Sequence, residues 1–246
     1  MRVAALYDIH GNLPALRAVL ADVAREGVDT VAVGGDVALG PLPAETVTQL
    51  MALGDRARFV TGNADREVVD AYDRGRRDID VEQDPAMRGA AYAAGQIWEI
   101  QRHFLAGFAP HVGQDFVLSW LAAQRYRDHH DRHPDPRLRD MLNGVSEPVV
   151  VCGHTHRQFD RCLDGWRVIN AGSVGMPYEG KVGAYWAVLG PTVELRRTEY
   201  DLDEGLNELR AGGFPDVDEM LRESLLEPMD ADEVAYFFER RATDGN

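Results

Sequence analysis

Six polar residues in this chain have the types and spacing of a metal site. Asp8 and His10 stand two apart, after the apolar run Val3-Ala4-Ala5-Leu6. Asp36 follows Gly34-Gly35, Asn63 follows Gly62, and His154 and His156 stand two apart after Gly153. Each comes after a short apolar run of strand character, and the flanking glycines let the backbone turn sharply and approach a ligand closely. A single Asp-x-His or His-x-His occurs often by chance. Four such sites, each at a strand end, point to one rim where separated segments converge.

The donor types define the chemistry. Carboxylates, imidazoles and an amide oxygen suit a divalent metal such as manganese, iron or zinc. Two Asp, three His and one Asn exceed a single structural zinc site, and there is no thiolate set. They suit two metals sharing one carboxylate. Such a pair, roughly 3.5–4 Å apart, can hold a phosphate and offset charge on the attacking and leaving oxygens. Phosphoester hydrolysis is the reaction expected.

The elements that must position these residues alternate in type. Strands are predicted at Arg2–Leu6, Thr30–Val33 and Arg58–Thr61. Helices follow, one capped by Asn12 and stopped at Gly27, another carrying Val47, Leu50 and Met51. Asp65 can cap the helix after Asn63. Residues 64–110 are helical by pattern, with Met87, Ala91, Ala94, Trp98, Leu105 and Phe108 expected as a buried stripe. A short strand is expected over Phe116–Trp120. Residues 121–136, with His129, His130 and His133, read as a solvated helical surface. Pro148–Cys152 is a further strand. Arg157–Leu163, Trp166–Ile169, Ala184–Leu189 and Thr192–Arg196 read as hairpins of a second sheet. Three amphipathic segments end the chain, striped by Leu202, Leu206 and Leu209, by Val217, Met220 and Leu221, and by Val234, Phe237 and Phe238. The whole, 1–246, reads as a single domain with a helical insertion or cap at 64–135 and a helical tail at 202–246.

Composition narrows the partners. The chain carries 26 Lys and Arg against 41 Asp and Glu, a net charge of −15. That disfavours non-specific nucleic-acid and membrane surfaces, which want a basic face. A small or medium phosphorylated substrate needs only local cations. Cys152 and Cys162 read as reduced, partly buried residues of a cytoplasmic protein. The first residues lack signal-peptide character, and no apolar stretch is long enough to span a bilayer. A homo-oligomer is compatible with the sequence.

The ordered set Asp8-x-His10, Gly35-Asp36, Gly62-Asn63-x-Asp65 and Gly153-His154-x-His156 resembles the calcineurin-like metallophosphoesterase superfamily. Gly35-Asp36-Val37-Ala38-Leu39-Gly40-Pro41 and Asn170-Ala171-Gly172-Ser173-Val174-Gly175 resemble its small prokaryotic phosphodiesterases. The resemblance implies an α/β fold, a four-layer α/β/β/α sandwich of two mixed sheets with the metals at their rim. It implies that Asp8, His10 and His156 hold the first metal, that Asp36 bridges, and that Asn63 and His154 hold the second. A hydroxide between the metals would attack phosphorus in line with the leaving oxygen, with Asp36, Asn63 and His154 central to catalysis.

The chain departs from the family pattern twice. Ala64 stands where the family carries a His that assists the leaving group. No His-Gly pair occurs between residues 66 and 152, where the family takes a further ligand to the second metal; His111, His129, His130 and His133 are the stand-ins. These departures keep a second reading open, a catalytically weak or inactive metal-binding scaffold of the same fold. Ser173 reads as loop structure supporting the site, and Arg66 as a surface ion pair.

Overall fold

The computed structural model describes residues 1–75, 84–113, 117–119, 139 and 142–227. Its centre is β1 (Val3–Leu6), a four-residue strand buried on both faces. Side chains of a strand alternate between faces. Ala4 and Leu6 pack outward against Ala15, Leu16, Val19 and Val23 of α1 (Leu13–Glu26). Val3, Ala5 and Tyr7 point inward, toward a second sheet.

The first sheet runs β10-β9-β1-β2-β3. The strands β2 (Thr30–Val33) and β3 (Ala57–Phe59) lie parallel to β1 and its neighbour; β9 (Ala184–Leu189) and β10 (Val193–Thr198) close the other edge in antiparallel pairing. Parallel neighbours need crossovers. These are α1, capped by the Asn12 side chain on Ala15 N (3.1 Å) and ended by left-handed Gly27, and α2 (Pro43–Met51). The second sheet runs β4-β5-β6-β8-β7: β4 (His111–Gly113), β5 (Val117–Ser119), β6 (Val149–Cys152), β7 (Gln158–Leu163) and β8 (Trp166–Ala171). It is also mixed, with β5, β6 and β8 parallel and β4 and β7 antiparallel at the edges.

The two sheets pack face to face. Val151, Ile169 and Ala171 from the second meet Val3, Ala5, Tyr7, Ala32, Ala187 and Leu189 from the first. Val150 and Cys152, one residue either side of Val151, face outward with Leu142, Phe159 and Val168. On the first sheet's outer face, α3 (Asn63–Asp73), α4 (Pro85–Gln96) and α5 (Glu99–Ala106) extend the helical layer. The tail helices α6 (Leu202–Ala211) and α7 (Val217–Leu221) bury Leu206, Leu209 and Leu221 against Leu13 and Leu42.

Three sequence expectations need correction. The late strands do not form one sheet. β7 and β8 join β6, whereas β9 and β10 flank β1 in the first sheet, so β6 and its histidines approach from the opposite sheet. Two hairpins with equal apolar patterning carry no signal for which edge they join. Trp98 is not part of a buried stripe: it is 71% exposed. The helix breaks after Gln96, and Trp98 becomes the cap of α5, its N–H donating to Gln101 Oε1 (2.9 Å). Ala94, Leu105 and Phe108 of the expected stripe are buried, Met87 and Ala91 are half-buried, and Gly89, Ala90, Ala93 and Ile97 complete the buried set. Cys162 is exposed rather than partly buried, and both cysteines are free. Phe116, Trp120, the histidine-rich segment and the third tail stripe lie outside the described residues. Among the described residues no helix is long and apolar enough to cross a membrane.

Tyr7 ties the sheets together. Its Oη donates to Val151 O (3.0 Å), and its fully buried ring lies across the backbone of Gly34. A Cβ at Gly34 would sit 1.9 Å from Tyr7 Cε1. Gly34→Ala is therefore expected to destabilise by about 1–3 kcal/mol, the cost of overpacking a filled core. Tyr7→Phe, which removes only the inter-sheet hydrogen bond, should cost about 1 kcal/mol. Urea unfolding of the two variants beside wild type measures both, and a Gly34→Ala midpoint equal to wild type would contradict the packing.

Candidate metal centre

The strand ends carry the site residues in a backbone conformation that is rare for them. Asp8 (φ 52°), His10 (49°), Asp36 (52°), His154 (70°) and His156 (57°) are all left-handed, five of the seven such non-glycine residues described. Left-handed geometry costs an L-residue roughly 1–2 kcal/mol, less for Asp and Asn, and such strain concentrates at functional sites. It turns each strand end sharply enough to bring side chains back over the sheet rim.

A hydrogen-bond frame holds these turns. Asp65, buried in the first turn of α3, accepts from three backbone N–H groups: Gly62 (2.8 Å), Asp36 (3.0 Å) and Val37 (2.9 Å). It caps the helix and also clamps the β2 loop to the β3 loop. Asp36 Oδ1 accepts from Ala64 N (2.8 Å), and a Cβ on Gly62 would fall 1.9 Å from that oxygen. From the second sheet, His154 N donates to Asp8 Oδ2 (2.6 Å). Ser173 Oγ donates to Asp8 O (2.7 Å) and accepts from Met176 N (2.8 Å). Asn170 Nδ2 donates to Gly153 O and Thr155 Oγ1 (both 2.9 Å), fixing the turn that presents His154 and His156.

Within this frame Asp8, His10 and His156, all buried, bring one donor atom each to within 4.8 Å of one another. The His10 Nδ1 donates to Leu39 O (3.1 Å) and the His156 Nδ1 to Met176 O (2.7 Å). A carbonyl can only accept, so both rings carry the Nδ1 proton and, when neutral, turn an Nε2 lone pair toward the site. Those two Nε2 atoms face each other at 3.2 Å. Beside them, Asp8 Oδ1 is buried without a hydrogen-bond partner and lies 3.9 Å from His156 Nε2. Two lone pairs and an orphaned carboxylate oxygen converge on one point. A cation suits that point, and the donor set fits a first-row divalent metal held by imidazoles fixed through their other nitrogen.

The remaining three residues stand around this cluster without forming part of it. Asn63 opens α3, donating from Nδ2 to Glu67 Oε1 (3.1 Å); its Oδ1 is buried and without a partner, as a ligand oxygen would be. Asp36 is buried between Asp65 and the Ala64 N–H, and His154 is half-buried. Of the stand-ins for a further ligand, His111 is exposed on edge strand β4, while His129, His130 and His133 lie outside the described residues. Arg66 is exposed. His156 has a further neighbour that sequence reasoning missed: Tyr178 stacks on it, ring centroids 5.0 Å apart. A tyrosine in a Gly/Pro-rich loop gives no sequence signal for that contact.

Burial dominates the electrostatics. It pushes the Asp8 carboxyl well above its ordinary value, with the Asp36 charge adding to the rise. It likewise raises Asp36, with Asp65 adding, and Asp65, whose backbone donors oppose the shift. Burial lowers His10 to about 4 and raises Cys152 and Tyr178 to about 12. Three desolvated carboxyls beside the His10 imidazole, which burial keeps neutral, form a site that suits cations.

Comparison with known proteins identifies the family and the fold. The sequence profile of the calcineurin-like phosphoesterase superfamily domain matches residues 1–190, and the chain belongs to that family. A metallophosphoesterase from Sphaerobacter thermophilus has a similar structure: TM-score 0.67, 23% identity, covering 89% of this chain and 98% of that one. A hypothetical protein from Pyrococcus horikoshii OT3 gives a TM-score of 0.75 at 18% identity, covering 91% and 97%. At these identities the likeness is one of fold. No curated protein matches the sequence.

The raised carboxyls set the pH response of the metal-free protein. A carboxyl whose folded pKa exceeds its unfolded value, near 3.8, opposes folding increasingly as pH rises from about 4 through the folded pKa. His10, lowered to about 4, acts in the opposite sense between about 4 and 6.5 and contributes nothing further above that. Above neutrality the carboxyls govern. Asp8→Asn is expected to raise the thermal midpoint of metal-free protein at pH 8. Added Mn²⁺ should raise the midpoint of wild type by more than that of the variant, which lacks the Asp8 carboxylate. Calorimetry with and without metal checks both, and a variant less stable than metal-free wild type at pH 8 would refute the electrostatic account.

Proposed function

We propose that this phosphoesterase is a dinuclear, metal-dependent phosphodiesterase acting on a small or medium phosphorylated substrate. The observation that supports it most directly is the convergence of the His10 and His156 Nε2 atoms with the unpartnered Asp8 Oδ1. On this reading Asp8, His10 and His156 hold one cation, Asp36 is shared, and Asn63 and His154 hold the other. Manganese, iron and zinc all suit the donors. When bound, such cations lower the pKa of water to make a nucleophile and neutralise charge on the phosphoryl oxygens.

The protein's own part is positional. Leu39 O and Met176 O hold His10 and His156 in one tautomer, so neither ring needs to lose a proton to bind metal. The frame built by Asp65, Ser173 and Asn170 keeps the ligands in place before substrate arrives. At position 64 a buried alanine offers no proton to the departing oxygen. A positioned acid contributes about 10²–10⁴-fold. Reaction is therefore favoured for esters with good leaving groups, which supports a diester with an acidic alcohol or a phosphate-like leaving group. The −15 charge fits a substrate recognised locally at the metals, with no role for membrane or non-specific nucleic-acid surfaces.

Ala64 also favours a second reading, a metal-binding scaffold with little turnover. Hydrolysis of bis(p-nitrophenyl) phosphate with Mn²⁺ separates the two. Wild type is expected to turn over, with Asp36→Ala and His156→Ala each reduced at least about 10²-fold, within the range for loss of metal-assisted charge stabilisation. Across aryl diesters of rising leaving-group pKa the wild-type rate should fall steeply. Equal rates in all three proteins would exclude the enzyme reading, and metal binding without turnover would favour the scaffold.

A further inference from the structure

We propose that Glu67 is a positioning residue that orients the Asn63 amide, so that Oδ1 rather than Nδ2 faces the second cation. This rests on the two-cation reading above. The two ends of an asparagine amide have nearly the same shape, and only one of them can ligate a metal. Something must choose between them.

Glu67 makes that choice by chemistry. A carboxylate accepts hydrogen bonds and donates none, so the group 3.1 Å from Glu67 Oε1 is the Asn63 NH₂. With Nδ2 held there, Oδ1 is turned the opposite way, and it is this oxygen that is buried with no hydrogen-bond partner. The reverse rotamer would place Oδ1 against the carboxylate, setting two acceptors together, and would aim an N–H at the cation. Both consequences are unfavourable.

The lever is short and stiff. Asn63 is the first residue of α3 and Glu67 lies one turn on, the (i, i+4) spacing at which helical side chains meet. The helix itself is pinned to the site by Asp65 on the Gly62, Asp36 and Val37 N–H groups. The Glu67 charge also reaches Asp36, which it helps to raise, so the residue stands at the second-cation side of the cluster. Glu67 has no donor atom in the Asp8–His10–His156 group, so its effect should fall on one cation and not the other.

The test is Mn²⁺ titration of metal-stripped protein by calorimetry, with stoichiometry checked by elemental analysis. Wild type, Glu67→Ala, Glu67→Gln and Asn63→Ala are compared, and bound manganese is followed by electron paramagnetic resonance for the coupling of a paired site. Wild type is expected to bind two Mn²⁺. Glu67→Ala should weaken the second by about 10–100-fold, the usual loss when a partner that orients a ligand is removed, with the first unchanged. Unchanged first binding also shows that the variant is folded. Glu67→Gln should stay within about threefold of wild type, because its amide oxygen accepts the same hydrogen bond. Three outcomes overturn the proposal. If Glu67→Ala binds both ions as wild type does while Asn63→Ala loses one, Glu67 does not orient the ligand. If Glu67→Gln is as weak as Glu67→Ala, the carboxylate acts through its charge alone. If Asn63→Ala still binds two ions normally, the two-cation reading at Asn63 fails, and Glu67 with it.

Discussion

Two imidazole Nε2 atoms 3.2 Å apart, beside a carboxylate oxygen with no partner, are the constraint on which the rest of this structure depends. Bare acceptors do not approach each other in a buried site without a reason. In the neutral rings Leu39 O and Met176 O hold the proton on Nδ1, so neither ring relieves the conflict by moving that proton to Nε2. Those two carbonyls come from segments far apart along the chain, one from the loop after β2 and one from the loop before β9. The conflict is therefore built by the packing of the two sheets and is not a local accident of either.

Holding this arrangement is costly, and the cost explains the frame around it. Five left-handed site residues, at about 1 kcal/mol each, sum to roughly 5 kcal/mol. That is comparable with the whole net stability of a typical domain. The compensation is visible in the hydrogen bonds. Asp65 alone satisfies three backbone donors, while Ser173 and Asn170 each connect two segments. The glycines serve the same end by permitting close approach. Gly40 lies so near His10 O that a Cβ would sit 1.8 Å from it, and Gly175 stands in the same relation to Ile9 O. The tail contributes too: Leu206, Leu209 and Leu221 pack on Leu42, and Tyr92 Oη reaches both Pro41 O and Gly212 O. These contacts brace the loop whose Leu39 carbonyl orients His10.

Much of this was legible in the sequence because it is local. Asp8, His10, Asp36, Asn63, His154 and His156 follow apolar runs beside glycines, and the caps at Asn12, Gly27 and Asp65 obey simple rules. What the sequence hid is what depends on partners distant along the chain. The hairpin of β9 and β10 has the same apolar patterning as that of β7 and β8, yet it pairs with β1, because β1 has a free edge there that only the folded sheet defines. Trp98 falls on the apolar period of α4, but the period ends where the helix does, at Gln96. Asp65 reads as an ordinary cap. Its second task, clamping Asp36 and Val37, needs two strand ends to be neighbours before it exists. The stacking of Tyr178 on His156 is equally a product of the fold.

The two halves of the site are supported by different means, and this follows from the topology. Asp8 and His10 come from the first sheet and His156 from the second, so that cluster is locked wherever the sheets are locked, by Tyr7 on Val151 and by the Val174 and Gly175 N–H groups on Tyr7 O and Asp8 O. Asn63 has no such bracing from the second sheet in any described contact. It depends on the first turn of one helix and on the (i, i+4) bond to Glu67. Position 64, beside it, is an alanine whose backbone N–H serves Asp36 but whose side chain reaches nothing polar. On the proposed two-cation reading, a site built this way would keep its first cation through the fold as a whole and tune its second through a single helical turn. Changes in rate or metal preference can then arise near α3 without disturbing the sheets that hold Asp8, His10 and His156.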